Sequence, residues 1–332
     1  MKSLIASQKS FQEPFVWLQG TKDYEIYDKC EKIKIQITFT KDYKIIYRRG
    51  EIILRVEKVK QFFKNPELMT NLEQIRHLDW QGEYGIGETK CGKWQIKWNG
   101  KILKDVGGYY ENGQKQGLWQ ELKKNYWNQA QVYEIGEYFN DYRKGGWDYI
   151  YQNNKIYGGQ YNEQGQKNAK WIDLSDSFQC FSQIIYNGEY NFKGQKIGLW
   201  NIMYCKDDEK EYKQIGGGLY DAKEKEFQKK IGRWVELSDY FMDSSQITYN
   251  GEYNRQGIKV GRWDIMYKEE DEDEFKLIGG GSYHEQERDS FSVKFGKWIE
   301  IGDNWWKTFT GEYNGEGKKV GKWVEKNLKK IK

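Results

Sequence analysis

Tyr249-Asn250-Gly251-Glu252-Tyr253, a short polar loop, then Gly261-Arg262-Trp263-Asp264-Ile265-Met266-Tyr267: this stretch is one copy of a pattern that fills most of the chain. The copies begin at Gly82, Gly107, Gly136, Gly159, Gly188, Gly218, Gly251, Gly281 and Gly311 and end on Trp94, Trp119, Trp147, Trp171, Trp200, Trp234, Trp263, Trp298 and Trp323. Self-similarity at such a period marks a repeat architecture. Strand side chains alternate between faces. Tyr249, Gly251 and Tyr253 therefore share one face, as do Gly261, Trp263 and Ile265. A hairpin with Tyr253 opposite Gly261 also sets Gly251 opposite Trp263, so each ring lies across a glycine. Longer loops in the copies at Gly218 and Gly281 leave that spacing untouched, as a fixed ladder with a variable turn requires. The same register sets Glu252 against Arg262 on the other face, as a solvent-side charge pair.

The expected fold is all-β: an elongated, curved antiparallel meander of nine hairpins and eighteen strands over residues 74–332. A β-propeller is the alternative, since four strands per double repeat resemble a blade. Residues 1–73 form a separate N-terminal region. Ile33, Ile35 and Ile37 alternate with polar residues, and two more strands follow up to Val59, so strands are expected over about 32–59. Asn65-Pro66-Glu67 predicts a short helix over about 66–72.

Composition narrows the function. Of 332 residues, 17% are aromatic, which excludes disorder, and 36 are Gly, which excludes a long helical protein. Lys+Arg 54 against Asp+Glu 50 leaves +4, too balanced for a nucleic-acid binder. Cys30, Cys91, Cys180 and Cys205 have no close pairing, and His77 and His284 stand alone, so no metal spacing exists and a reducing compartment is expected. Met1–Leu18 is broken by polar residues and reads as neither signal peptide nor membrane span. A cytoplasmic protein without cofactor or metal is expected. Gly87 to Trp94 spells most of a phosphate-binding loop, but Trp94 replaces its Ser/Thr and the repeat accounts for both glycines. His77 reads as a polar-side residue of the first repeat strand, and His284 as part of a variable loop. With every unit doing the same structural job, no catalytic residue is assigned.

Tyr249-Asn250-Gly251-Glu252-Tyr253 with Gly257 and Gly261-Arg262-Trp263 resembles a MORN repeat, in the variant whose second strand opens with Gly-x-Trp. The resemblance covers residues 74–332. It implies an array of antiparallel hairpins and a role in scaffolding, dimerisation or attachment near membranes.

Three functions follow as expectations: a non-enzymatic scaffold binding other proteins, a peripheral membrane or lipid-headgroup binder, and a glycan-binding module. The basic end, Lys326, Lys329, Lys330 and Lys332, is short for a membrane signal. A double repeat emerges in the links between hairpins. Those after the second, fourth, sixth and eighth copies carry Tyr126 and Trp127, Phe178 and Phe181, Tyr240 and Phe241, and Trp305 and Trp306. These rings are outside the Gly/aromatic register. They are the candidate partner-binding residues, with rings that cap the end of the aromatic face as the alternative.

Overall fold

A computed structural model describes residues 20–28, 31–59, 68–69, 71–207, 209–222, 228–239, 241–270, 272–286, 291–302 and 307–328. The chain divides into two compact units, Met1–Gln114 and Lys115–Lys332.

In the first unit, β1 (Gly20–Asp28), β2 (Glu31–Phe39), β3 (Lys44–Arg49) and β4 (Ile52–Lys58) make an antiparallel four-stranded sheet in chain order. Ile35, Ile37 and Ile45 are almost fully buried, as the alternation requires. The strand β1 was not legible, because its residues show no period. The helix lies later than expected: α1 spans Leu72–His77, and Asn71 caps it by accepting from the backbone N–H groups of Glu73 and Gln74. Residues 66, 67 and 70 lie outside the described set, and Leu68 and Met69 are not helical. His77 closes this helix, 3.7 Å from Glu73, rather than standing on the first repeat strand. Arg55 ties the parts of this unit together, donating to Glu57, to the Ile75 carbonyl and to Asp79. The unit also holds the first repeat strands, β5 (Leu78–Tyr84), β6 (Lys90–Trp98) and β7 (Lys101–Glu111).

The second unit is a single antiparallel meander: β8 (Gln114–Leu122), β9 (Val132–Phe139), β10 (Tyr142–Tyr151), β11 (Asn154–Tyr161), β12 (Lys167–Leu174), β13 (Gln183–Tyr190), β14 (Lys196–Cys205), β15 (Lys213–Tyr220), β16 (Lys230–Leu237), β17 (Gln246–Tyr253), β18 (Lys259–Lys268), β19 (Lys276–Gln286), β20 (Phe291–Ile301), β21 (Lys307–Tyr313) and β22 (Lys319–Asn327). Each strand pairs with its neighbours in sequence, and among the described residues no register joins β22 to β8. The eighteen repeat strands are therefore all present, three in the first unit and fifteen here, as an open hairpin meander rather than propeller blades. His284 lies within β19, not in a loop.

The Trp-over-glycine pairing holds in the copies at Gly82, Gly136, Gly159, Gly188, Gly218, Gly251, Gly281 and Gly311; in the second copy Gly107 instead meets the Trp94 carbonyl, and Gly108 and Tyr110 take the register places. The register around it is different. Within the hairpin Tyr253 faces Lys259, and a bulge then shifts the ladder, so Gly251 still meets Trp263. Gly261 supplies that bulge at φ +60. The later glycine of each copy thus answers a left-handed backbone, which glycine adopts without steric cost. Tyr253 instead faces Gly232 of the preceding repeat, and Glu252 faces Arg233 there rather than Arg262. Ala169 occupies the bulge position of the fourth copy at φ 59.

The rings form one continuous row. From Trp119 through Tyr138, Trp147 and so on to Trp323, fifteen alternating Trp and Tyr rings meet edge to face, with centroids 4.8–6.3 Å apart. Each such contact contributes roughly 0.5–1.5 kcal/mol beyond area burial.

Candidate interaction surfaces

The aromatic face carries a second layer, made of charge. Every repeat has Lys or Arg four residues before its Trp, and each of these cations sits 3.7–4.9 Å from the indole. The bulge explains the spacing. Alternation already sets Lys259 on the face of Tyr253 and Trp263, and the bulge shortens the step between them so that the ammonium sits over the ring. Two residues after the Trp of each even copy stands an acid, Glu121, Asp173, Glu236 or Glu300, and each acid joins the cations of two successive repeats. Glu236, for example, pairs with Lys230 and with Lys259 at 2.8 Å and accepts from the Tyr253 hydroxyl at 2.7 Å. Tyr138, Tyr190 and Tyr313 donate likewise to Glu121, Asp173 and Glu300.

Burial alone would raise the Glu236 carboxyl, but Lys230 and Lys259 outweigh it and hold its pKa below the ordinary range. The same balance lowers Glu121, Asp173 and Glu300. These cations and acids therefore act on one another. The signal was present in the sequence as Lys/Arg-x-Gly-x-Trp, with Ala169 for the glycine in the fourth copy, plus an acid two residues on in alternate copies.

The aromatic links turn inward. Tyr126, Trp127, Phe178 and Phe241 are buried at 2%, 7%, 0% and 3% exposure, so these four cannot serve as surface anchors. Phe178 packs edge to face on Tyr151, and Phe241 on Tyr204. Only Phe181, at 46%, keeps an exposed ring among the described candidates. Tyr240, Trp305 and Trp306 lie outside the described residues.

The three links are built alike and hydrogen-bond to one another. Asn125 Nδ2 donates to the Phe178 carbonyl, Ser182 Oγ to the Phe241 carbonyl, and the backbone N–H of Asp243 to the Phe181 carbonyl. Of the two readings the sequence offered for these rings, inward packing rather than exposure applies to Tyr126, Trp127, Phe178 and Phe241.

Exposed rings gather on the other edge, among the hairpin loops. Phe139 and Tyr142 flank the turn between β9 and β10 and are 60% and 45% exposed; Phe192, in the loop between β13 and β14, is 71% exposed. The loop of the intervening hairpin fixes their setting. A Cβ on Gly165 would fall 3.1 Å from the Tyr142 ring, and Asn162 Nδ2 donates to the Phe192 carbonyl at 2.8 Å. Asn162 and Asn191 in turn lock their own loops, each side chain accepting from two backbone N–H groups. Lys144 approaches the Phe139 ring and also pairs with Glu163, and Lys193 approaches Phe192. The exposed rings thus stand on either side of the Asn162 loop, with Lys144 and Lys193 beside them.

The sequence matches no known family profile and no curated protein. Among the described residues, no helix is long and apolar enough to cross a membrane.

Proposed function

We propose that this chain is a cytoplasmic, non-enzymatic scaffold of MORN-like hairpin repeats that binds another protein through its hairpin-loop edge. The observation that carries this reading is the set of exposed rings Phe139, Tyr142 and Phe192, on two hairpin loops that both touch the loop between them. Rigid aromatic side chains give large contact area at small entropic cost, and such anchors dominate binding energies. The array's buried carboxylates support the reading in a second way. Each has its charge neutralised by two cations and a tyrosine in the same arrangement, four times over, which favours a structural over a chemical role.

Affinity purification of the full chain from native cells tests this reading. The wild type should recover a stoichiometric protein partner. Phe139→Ser with Phe192→Ser should lose it while keeping the wild-type melting temperature. Recovery undiminished by the double substitution would overturn the assignment of this edge.

A further inference from the structure

One place on the ring face of the second unit is unlike its counterparts in the other repeats. Where the first strand of an odd copy meets its Trp strand, two buried apolar side chains belong to one cluster: Val132 with Tyr149, Ile184 with Ile202, and Ile247 with Ile265. The last copy keeps the register, with Phe309 opposite Glu325 as Tyr249 is opposite Ile265 and Tyr186 opposite Ile202. Its two positions nevertheless hold Lys307 and Glu325, an ion pair at 2.7 Å. Gly302, bonded through its N–H to the Lys307 carbonyl, stands where Ser175 and Ser238 make the same bond. A Cβ on Gly302 would fall 2.5 Å from the Phe309 ring, so the ring is pressed on bare backbone. A cavity of about 400 Å³ opens here, lined by the Phe309 ring, the Lys307–Glu325 pair and the Glu300–Lys319 pair.

We propose that this cavity binds a zwitterionic α-amino acid with a large apolar side chain. Its volume is that of a small-molecule site. The carboxylate of the ligand joins Lys307 and Lys319, its ammonium joins Glu325, and its side chain lies on the Phe309 ring. The Lys307–Glu325 pair opens, and the ligand replaces that one contact by two charge-assisted ones. Glu300 stays with Lys294, Lys319 and the Tyr313 hydroxyl and so holds the second wall in place.

Stability does not account for the exchange of apolar residues for charges. A partly exposed ion pair contributes little, and well-packed apolar residues commonly do as well or better in such a position. The charges select the class of ligand. Lys307 and Lys319 against Glu300 and Glu325 leave the lining neutral, so an ion of one sign meets like charge, whereas a zwitterion finds a partner for each end. This inference goes beyond the scaffold reading, since it concerns a small molecule and a part of the array away from the Phe139 and Phe192 loops.

Isothermal titration calorimetry of the full chain with L-phenylalanine tests it. The wild type should bind one equivalent. Phenethylamine, which lacks the carboxylate, and 3-phenylpropionate, which lacks the ammonium, should each bind at least about tenfold more weakly. Lys307→Ile with Glu325→Ile installs the pair that two other copies already carry, so this variant should keep the wild-type melting temperature and lose L-phenylalanine binding. Lys307→Gln should weaken L-phenylalanine at least about tenfold and leave phenethylamine unchanged, a split that a general loss of folding would not produce. A wild type that takes up no L-phenylalanine at millimolar concentration, a double-isoleucine variant that binds it as well as wild type, or analogues that bind equally would each overturn the proposal and leave Lys307 and Glu325 as a surface ion pair only.

Discussion

The Trp263 indole lies against Gly251, so close that a Cβ added to the glycine would fall 2.2 Å from Cδ2 and 2.3 Å from Cε2. No side chain fits there. The same relation recurs at Gly136 with Trp147, Gly188 with Trp200 and Gly311 with Trp323. A sheet face can in this way bury large rings without a second sheet above, provided each ring has a bare backbone beneath it and a cation over it.

Trp200 and Trp263 are each 2% exposed, and either changed to Ala should cost about 3–5 kcal/mol in chemical denaturation. Trp323, half-buried on the last strand, should cost clearly less, as expected of the end of a nearest-neighbour array.

The two glycines of one repeat should respond differently to Ala. Gly251→Ala has no space and should disrupt the hairpin. Gly261→Ala meets nothing within 4 Å and pays only for its positive φ, about 1–2 kcal/mol. The converse applies at Ala169, where φ is already 59°, so Ala169→Gly should raise stability by roughly 1 kcal/mol. A melting temperature lowered by Ala169→Gly would contradict the bulge account.

The shared acids predict acid sensitivity. Their folded pKa values are depressed below the ordinary 4.5 for Glu121, Glu236 and Glu300 and 3.8 for Asp173. A depressed carboxyl contributes stability that is fully present above its unfolded pKa and is lost as pH falls through the folded one. Stability should therefore be level above about pH 5 and decline on further acidification, with the steepest loss below the unfolded values. Glu236→Gln, which leaves Lys230 and Lys259 without their anion, should cost roughly 3 kcal/mol at neutral pH and flatten part of the acid slope.

The buried links give a fourth test. Phe178→Ser or Phe241→Ser should destabilise the fold by several kcal/mol, since each removes a buried ring from a packed loop. Phe181→Ser should change the melting temperature little.

Much of the architecture could be read from Gly-x-Tyr and Gly-x-Trp alone, because strand alternation and one conserved spacing between ring and glycine leave few registers. What escaped was the bulge. A glycine two residues before a Trp serves equally as a bed for a ring or as a left-handed kink, and the spacing does not distinguish them. Missing the kink hid the cation it brings onto the ring, although Lys259 and Lys230 stand at the right distance in sequence. The site was less legible still. Tyr126 and Phe178 look like exposed anchors when links are considered singly, but each folds back onto strand residues, Tyr126 onto Tyr133 and Phe178 onto Tyr151. The loop aromatics Phe139 and Phe192 occur in no periodic position, so nothing in the repeat singled them out.

The central claim is that each repeat Trp lies flat on the glycine of its own hairpin, and proton NMR of the full chain tests it most directly. The Gly251 Hα resonances should be shifted strongly upfield by the Trp263 ring current and show nuclear Overhauser contacts to the indole, and both features should vanish in Trp263→Ala. Gly251 Hα shifts at ordinary strand values, with no contact to the Trp263 ring, would contradict the account.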